Sequence, residues 1–497
     1  MRDDPEPTDE FLPERRLTSM KNTRWLSLTI LCIGFLLIVV DMTIVNVALP
    51  SIQRDMGFSQ SGLAWVINAY LIAFAGFLLL AGRLGDLFGR KRVYLIGLGI
   101  FIGASVLCGL SFSQPMLVAA RFIQGIGGAV SSAVILAMIV TLFPKPDELA
   151  KAFGVFSFIA SAGAAIGLLA GGLITQAVSW HWIFFVNVPI GLVTVALSIR
   201  LIASDRGIGI KEGVDVVGAV LVTVALMLGA YTIVQSSDYG LGSVRTLGLG
   251  ALALGLLAAF VVRQALAKTP ILPLRIFASL KLSSANVVQA LMSAAFFGFF
   301  FVASLDLQRV LGYGPMEIGL GFLPVAVVMG LFSVRFSALL INRFGPFAVL
   351  VSGQVVIAVA LALLGFGPTN EIYALHLLVP LALLGLGGGL AFPSLTIIAM
   401  ADARPSDAGL ASGLLNTTGQ VGGALGLAVL ATLASSQTLS LINSGAGSTA
   451  ALAGGYHLAW LAGAGTFVIT LALTIALLRA RTKTEMEIAL DGEEAVA

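Results

Sequence analysis

"GRLGDLFGRKR" (82–92) places five charged side chains, Arg83, Asp86, Arg90, Lys91 and Arg92, between two apolar runs. The surrounding chain has 497 residues, of which 58% are hydrophobic and 11% charged. A soluble domain carries roughly a quarter charged residues. A soluble chain this apolar could not hide its surface from water, so a membrane protein is expected. The net charge of +3 is small. Nothing in the composition points to a nucleic-acid partner.

Crossing the hydrocarbon takes about 20 apolar residues of helix. Such runs fall at 26–49, 61–81, 93–112, 115–141, 150–177, 182–203, 214–235, 246–266, 285–310, 317–340, 347–366, 375–399, 408–434 and 458–479. Their length, and the lack of strict alternation, predict helices rather than barrel strands. Cations in the connections set the orientation. With the N-terminus inside, the inner side receives Arg15, Arg16, Lys21, Arg24, the whole 82–92 stretch and most later Lys and Arg. The outer side receives only Arg54, Arg245 and Arg309. Both termini are therefore expected on the cytoplasmic side. Trp65, Trp180 and Trp182 fall at predicted outer ends, where aromatic belts sit. The longest outer loop is expected at about Ser435–Tyr456, rich in Ser, Ala and Gly.

Several chemistries are argued against. Cys32 and Cys108 lie inside apolar runs, and the three histidines (His181, His376, His457) are far apart. Neither set suggests a disulfide framework or a metal site. No G-x-x-x-x-G-K-[ST] phosphate loop occurs, and no cofactor is expected. No clustered nucleophile and base suggests an enzyme.

The short inner loop at 82–92 obeys the positive-inside rule, but that rule does not account for Asp86. An acid beside a helix N-terminus can bond its free amides, and glycines let the helix approach. Gly82, Asp86, Gly89, Arg90 and Lys91 therefore form a candidate conformational latch.

These residues resemble the G-x-L-x-D-x-x-G-R-K loop signature of the major facilitator superfamily. "DMTIVNVALPSI" (41–52), "RFIQGIGGA" (121–129), "SWHWIFFVNVPIG" (179–191) and "LGYGPMEIGLGFLP" (311–324) narrow the resemblance to its fourteen-span drug:proton antiporters, the EmrB/QacA type. The resemblance implies an all-α polytopic membrane protein of 14 transmembrane helices. Residues 25–203 and 269–480 would form two six-helix bundles. Residues 204–268 would supply two linking helices, and 1–24 and 481–497 cytoplasmic tails. It further implies a monomer in the inner membrane that exports lipophilic, often cationic, compounds in exchange for protons by alternating access. Narrow-specificity export of a metabolite, lipid or antibiotic, proton symport, and a non-transporting sensor are the alternatives.

Charge deep in lipid costs about 2.5–3.5 kcal/mol even on a mild scale, so intramembrane ions need a reason. Asp41, Arg121 and Asp306 are the clear cases. By the predicted spans Asp41 and Arg121 lie at similar depth and could face each other. Such a pair is either a fixed packing element or a proton-coupling switch; the resemblance favours the switch. Asp306 stands where the family pattern usually carries an aromatic, and could bind a proton or substrate. Asn46, Asn68, Tyr70, Gln124, Gln308, Asn416 and Gln420 are the other candidates for lining a substrate cavity. "GLLAGG" (167–172) matches the family's span 5 antiporter signature through Gly167, Gly171 and Gly172, but Leu168 replaces its proline.

Overall fold

A computed structural model describes residues 12–143, 146–205, 207, 215–240, 242–272, 274–369, 372–401 and 408–494. Among these residues the chain is helical throughout, with no strand. In order the helices are α1 (Leu12–Met56), α2 (Gln60–Phe88), α3 (Arg90–Gly109), α4 (Gln114–Leu142), α5 (Pro146–Ala177), α6 (Trp182–Phe185), α7 (Asn187–Leu201), α8 (Val216–Tyr239) and α9 (Val244–Leu266). They continue with α10 (Leu280–Arg309), α11 (Pro315–Gly321), α12 (Leu323–Leu331), α13 (Ser337–Phe344), α14 (Pro346–Gly365), α15 (Leu378–Met400), α16 (Ala408–Asn443) and α17 (Ser448–Glu494). Eleven helices are long and apolar enough to cross a membrane. Gly62–Leu78, Ile166–Ala177 and Pro315–Leu331 are shorter apolar helices.

Local chemistry starts these helices where the sequence allows it. Ser59, Asp215, Ser243 and Ser279 each cap a helix by accepting a backbone N–H. Pro315 and Pro346 open α11 and α14, where a missing N–H costs nothing. One expectation is corrected here. The Ser/Ala/Gly stretch read as the longest loop is mostly helix, because α16 runs on to Asn443 and α17 begins at Ser448. Ala is the best helix former, and Gly445, at φ +90°, supplies the left-handed turn between the two helices.

The helices pack as two halves. In the first, α4 lies on α2 and α3, and α1 on α5 and α7. In the second, α10 lies on α16 and α17, and α14 on α15 and α17. The halves meet where α2 packs on α16, where α5 packs on α11 and α12, and where α1 packs on α10. The paired helices α8 and α9 stand at the α2–α16 seam, with α8 touching both of those helices. One apolar core runs through both halves.

Candidate functional site

The sparse charges of the first half converge. Asp41, midway along α1, is fully buried, and Arg121 on α4 is 1% exposed. Arg121 Nη1 lies 2.6 Å from Asp41 Oδ2. Gln124 Nε2 and Asn187 Nδ2 donate to Asp41 Oδ1 at 2.8 and 3.0 Å. Arg121 also donates through Nη1 to Gln124 Oε1 and through Nε to the Val66 carbonyl. Its guanidinium lies 4.3 Å from the centre of the Tyr70 ring. Ser105 accepts a second bond from Gln124. Removing one partner of a buried pair costs roughly 3–5 kcal/mol, so the network holds α1, α4 and α7 in one arrangement while both charges persist.

Beside this network lies a cavity of about 370 Å³ between the halves. Residues from the middle of α1, α2, α4, α5, α10, α12 and α16 line it. Phe296, Phe297 and Phe300 form an aromatic wall, and Arg121 reaches it from the ion-pair network. Of the cavity candidates, Asn46 and Tyr70 line it. Gln124 does not; it lies one turn from Arg121 and is spent on Asp41. Asp306 is fully buried inside the second half, in electrostatic contact with Tyr456 of α17, and is off the wall. Asn68 is buried in α2, Gln308 and Gln420 are half-buried, and Asn416 is exposed; none of these four lines the cavity. Asn68 falls between the lining residues Ile67 and Tyr70 on another face of α2, whereas Gln308, Asn416 and Gln420 lie about two to three turns along their helices from the nearest lining residue.

Of the antiporter-motif glycines, Gly172 closes one end of the seam, and Gly167 and Gly171 let α5 lie close on α1. A Cβ on Gly172 would meet the Pro315 carbonyl oxygen at 2.6 Å, and one on Gly171 the Ile44 carbonyl oxygen at 2.7 Å. Gly167 faces Val40 and Thr43. Leu168, in the place of the motif proline, is buried and lines the cavity. Ser304 of α10 donates to the Asn46 carbonyl across the same seam. All these contacts lie towards the end away from residues 82–92. At the other end α13 packs on α14 and α15 of its own half.

At residues 82–92 the latch has a partner that the sequence reading missed. Asp205, beyond the end of α7, accepts the backbone N–H of Arg90 at 2.7 Å and of Lys91 at 3.1 Å. Lys91 Nζ returns two bonds to the carbonyls of Ile199 and Ile202. Arg90 Nη1 binds the Ala137 carbonyl and Thr141 at the end of α4. Gly89 has φ +95°, and a Cβ there would stand 2.8 Å from the Asp205 carbonyl oxygen, so glycine is needed for both reasons. Gly82 has open space around it. The Asp86 side chain lies outside the described residues. Asn187, Ser105 and Asp205 were the omissions. Asn187 was visible as an amide inside the quoted 179–191 stretch; Asp205 gave no signal, since its partners lie 114 and 115 residues away.

Two helical halves, an interfacial cavity and a buried ion pair on its edge define a multi-pass membrane transporter rather than an enzyme. The chain belongs to the Major Facilitator Superfamily, whose family model matches residues 31–427. It is 36% identical to the puromycin resistance protein pur8 of Streptomyces alboniger over 93% of each chain. It is 35% identical to the cephamycin export protein CmcT of Amycolatopsis lactamdurans over 94% of this chain and 95% of that protein. Among solved structures, a bacterial homologue of the human lysosomal transporter Spinster, inward-facing and unoccupied, superposes with a TM-score of 0.67 at 17% identity, over 93% of this chain and 98% of that one. That likeness concerns the fold.

Proposed function

We propose that this chain is a fourteen-span efflux transporter of the EmrB/QacA type that expels lipophilic compounds in exchange for protons. The three shorter apolar helices, added to the eleven longer ones, support a count of fourteen. With the basic 82–92 face and both termini in the cytoplasm of a bacterial cell, the contact of Gly172 with Pro315 closes the outer end of the seam. Relatives described as resistance and export proteins support the direction of transport.

The observation that carries the reading is the Asp41–Arg121 pair at the edge of the cavity. A proton taken up by Asp41 removes the counter-charge of Arg121 and loosens the bonds joining α1, α4 and α7. The cavity wall and the proton site share Arg121, so cargo and proton act on one side chain. Asp306, sealed in the second half, is the alternative coupling carboxylate.

The test uses proteoliposomes with an internal pH dye. Cargo-dependent proton flux in the native protein that disappears in Asp41→Asn supports the assignment. Flux surviving in Asp41→Asn moves coupling to Asp306. No flux with any of a broad cargo panel refutes proton exchange. A second reading, export of one endogenous metabolite or antibiotic, draws on relatives whose names each state a single compound. The same panel separates the two.

A further inference from the structure

The resemblance implies cationic cargo, yet among the described residues those lining the cavity include no Asp or Glu. Arg121 is their only charged member, and Asp41 behind it cancels that charge. The site as a whole is electrically neutral. Its surface is dominated by Phe296, Phe297, Phe300 and aliphatic groups. An ion entering such a wall gives up its hydration and meets no counter-ion. A cation over phenylalanine faces recovers only part of that loss. An anion at Arg121 would be repelled by the Asp41 carboxylate, which already holds Nη1 at 2.6 Å.

One polar feature of the wall is specific. Arg121 spends Nη1 on Asp41 and Gln124, and Nε on Val66. Among the described residues no hydrogen bond reaches its Nη2. Arg121 lines the cavity, and its Nη2, held in place by the ion pair, is open to that cavity rather than sealed in protein. A donor that faces an apolar cavity and has no protein acceptor is available to an acceptor on a ligand.

We propose that the cavity selects uncharged aromatic molecules carrying a carbonyl or similar acceptor, which bonds Arg121 Nη2 while the rings pack on the phenylalanine wall. This rests on the transporter reading and names its cargo class. It also agrees with exchange: the donor is held in place only while Asp41 is ionised, so protonation of Asp41 disturbs the cargo site.

The test is equilibrium binding to the purified protein in nanodiscs, without any gradient. Three planar fluorescent probes are compared: Nile red (neutral, with a carbonyl), ethidium (cation) and anilinonaphthalene sulfonate (anion). Nile red should bind at least about tenfold more tightly than either ion. Ala326→Asp, which adds a carboxylate to the wall, should invert the order and raise ethidium affinity about tenfold or more. Arg121→Lys, which keeps the charge and loses the fork, should weaken Nile red binding. Equal or tighter ethidium binding by the native protein overturns the proposal, as does an unchanged probe order in Ala326→Asp. Failure of the transporter reading looks different: Nile red binds with the expected order, but no gradient moves it in proteoliposomes.

Discussion

The carboxylate of Asp205 closes on the first turn of α3, receiving the Arg90 and Lys91 amides on its two oxygens. Lys91 answers by capping the last carbonyls of α7. Each helix end satisfies the other, and opposite charges sit where both helix dipoles favour them.

Asp205→Ala should therefore lower the melting temperature and slow transport several-fold, with proton coupling retained. The pH dependence follows from the sign of its shift. Burial acts to raise the Asp205 carboxyl, but the Arg90 and Lys91 amides outweigh it and hold the group below its ordinary value of 3.8. A depressed acid contributes fully above the unfolded value and loses its contribution only as pH falls through the folded one. Melting temperatures of native protein and Asp205→Ala should thus differ by a constant amount from pH 5 to 8. A difference that changes across that window would contradict the cap.

Asn187 donates to Asp41 but does not line the cavity. Asn187→Ala should cost about 1–3 kcal/mol of stability for the lost buried bond. It should also shift the pH profile of proton flux while leaving Nile red binding within about twofold. Loss of binding with an unchanged profile would place Asn187 in the cargo site instead.

Gly172→Val puts a branched side chain against the Pro315 backbone, which has no flexible end to yield. Overpacking of this kind costs roughly 1–3 kcal/mol. The closed end should part, and cysteines placed near Met316 should react faster with an impermeant maleimide added from the outside. Unchanged labelling would mean that this contact does not close the pathway.

Asp215 caps α8 through Gly218 and binds both Arg263 and Gln264 of α9. Asp215→Ala should cost about 0.5–2 kcal/mol, as other lost N-caps do. Transport per folded molecule should stay the same, measured as flux normalised to properly folded protein.

A neutral cargo exchanged for one proton moves one net charge per cycle. A potential of 100 mV is worth about 2.3 kcal/mol per charge, or roughly fiftyfold in accumulation. A potassium-diffusion potential, imposed at equal pH on both sides, should drive Nile red against its gradient. Indifference to the potential would point to electroneutral exchange.

How far the sequence could be read depended on how much energy each feature costs in lipid. Asp41 and Arg121 stood out because bare charge in an apolar run is expensive, and the structure places them together. Gln124, three residues from Arg121, shares its helix face; that spacing could have assigned it to the ion pair rather than the cavity. Asn187 was quieter because an amide in a membrane helix often bonds only a neighbouring helix. Asn68, Gln308, Asn416 and Gln420 show the limit of reading polarity alone: Asn68 lies on another face of α2, and the other three lie too far along their helices to reach the cavity. Asp205 depends on a meeting between distant segments, which no local pattern encodes.

Helix α8 has one further consequence. It seals the seam between α2 and α16, while α9 behind it presents nearly all of its surface outward. A molecule dissolved in the bilayer finds that flank of the protein shut by two extra helices. The opposite flank, where α5 runs alongside α12, carries no such cover among the described residues. The two flanks of the seam therefore meet the lipid differently, one behind two extra helices and the other through the α5–α12 contact itself.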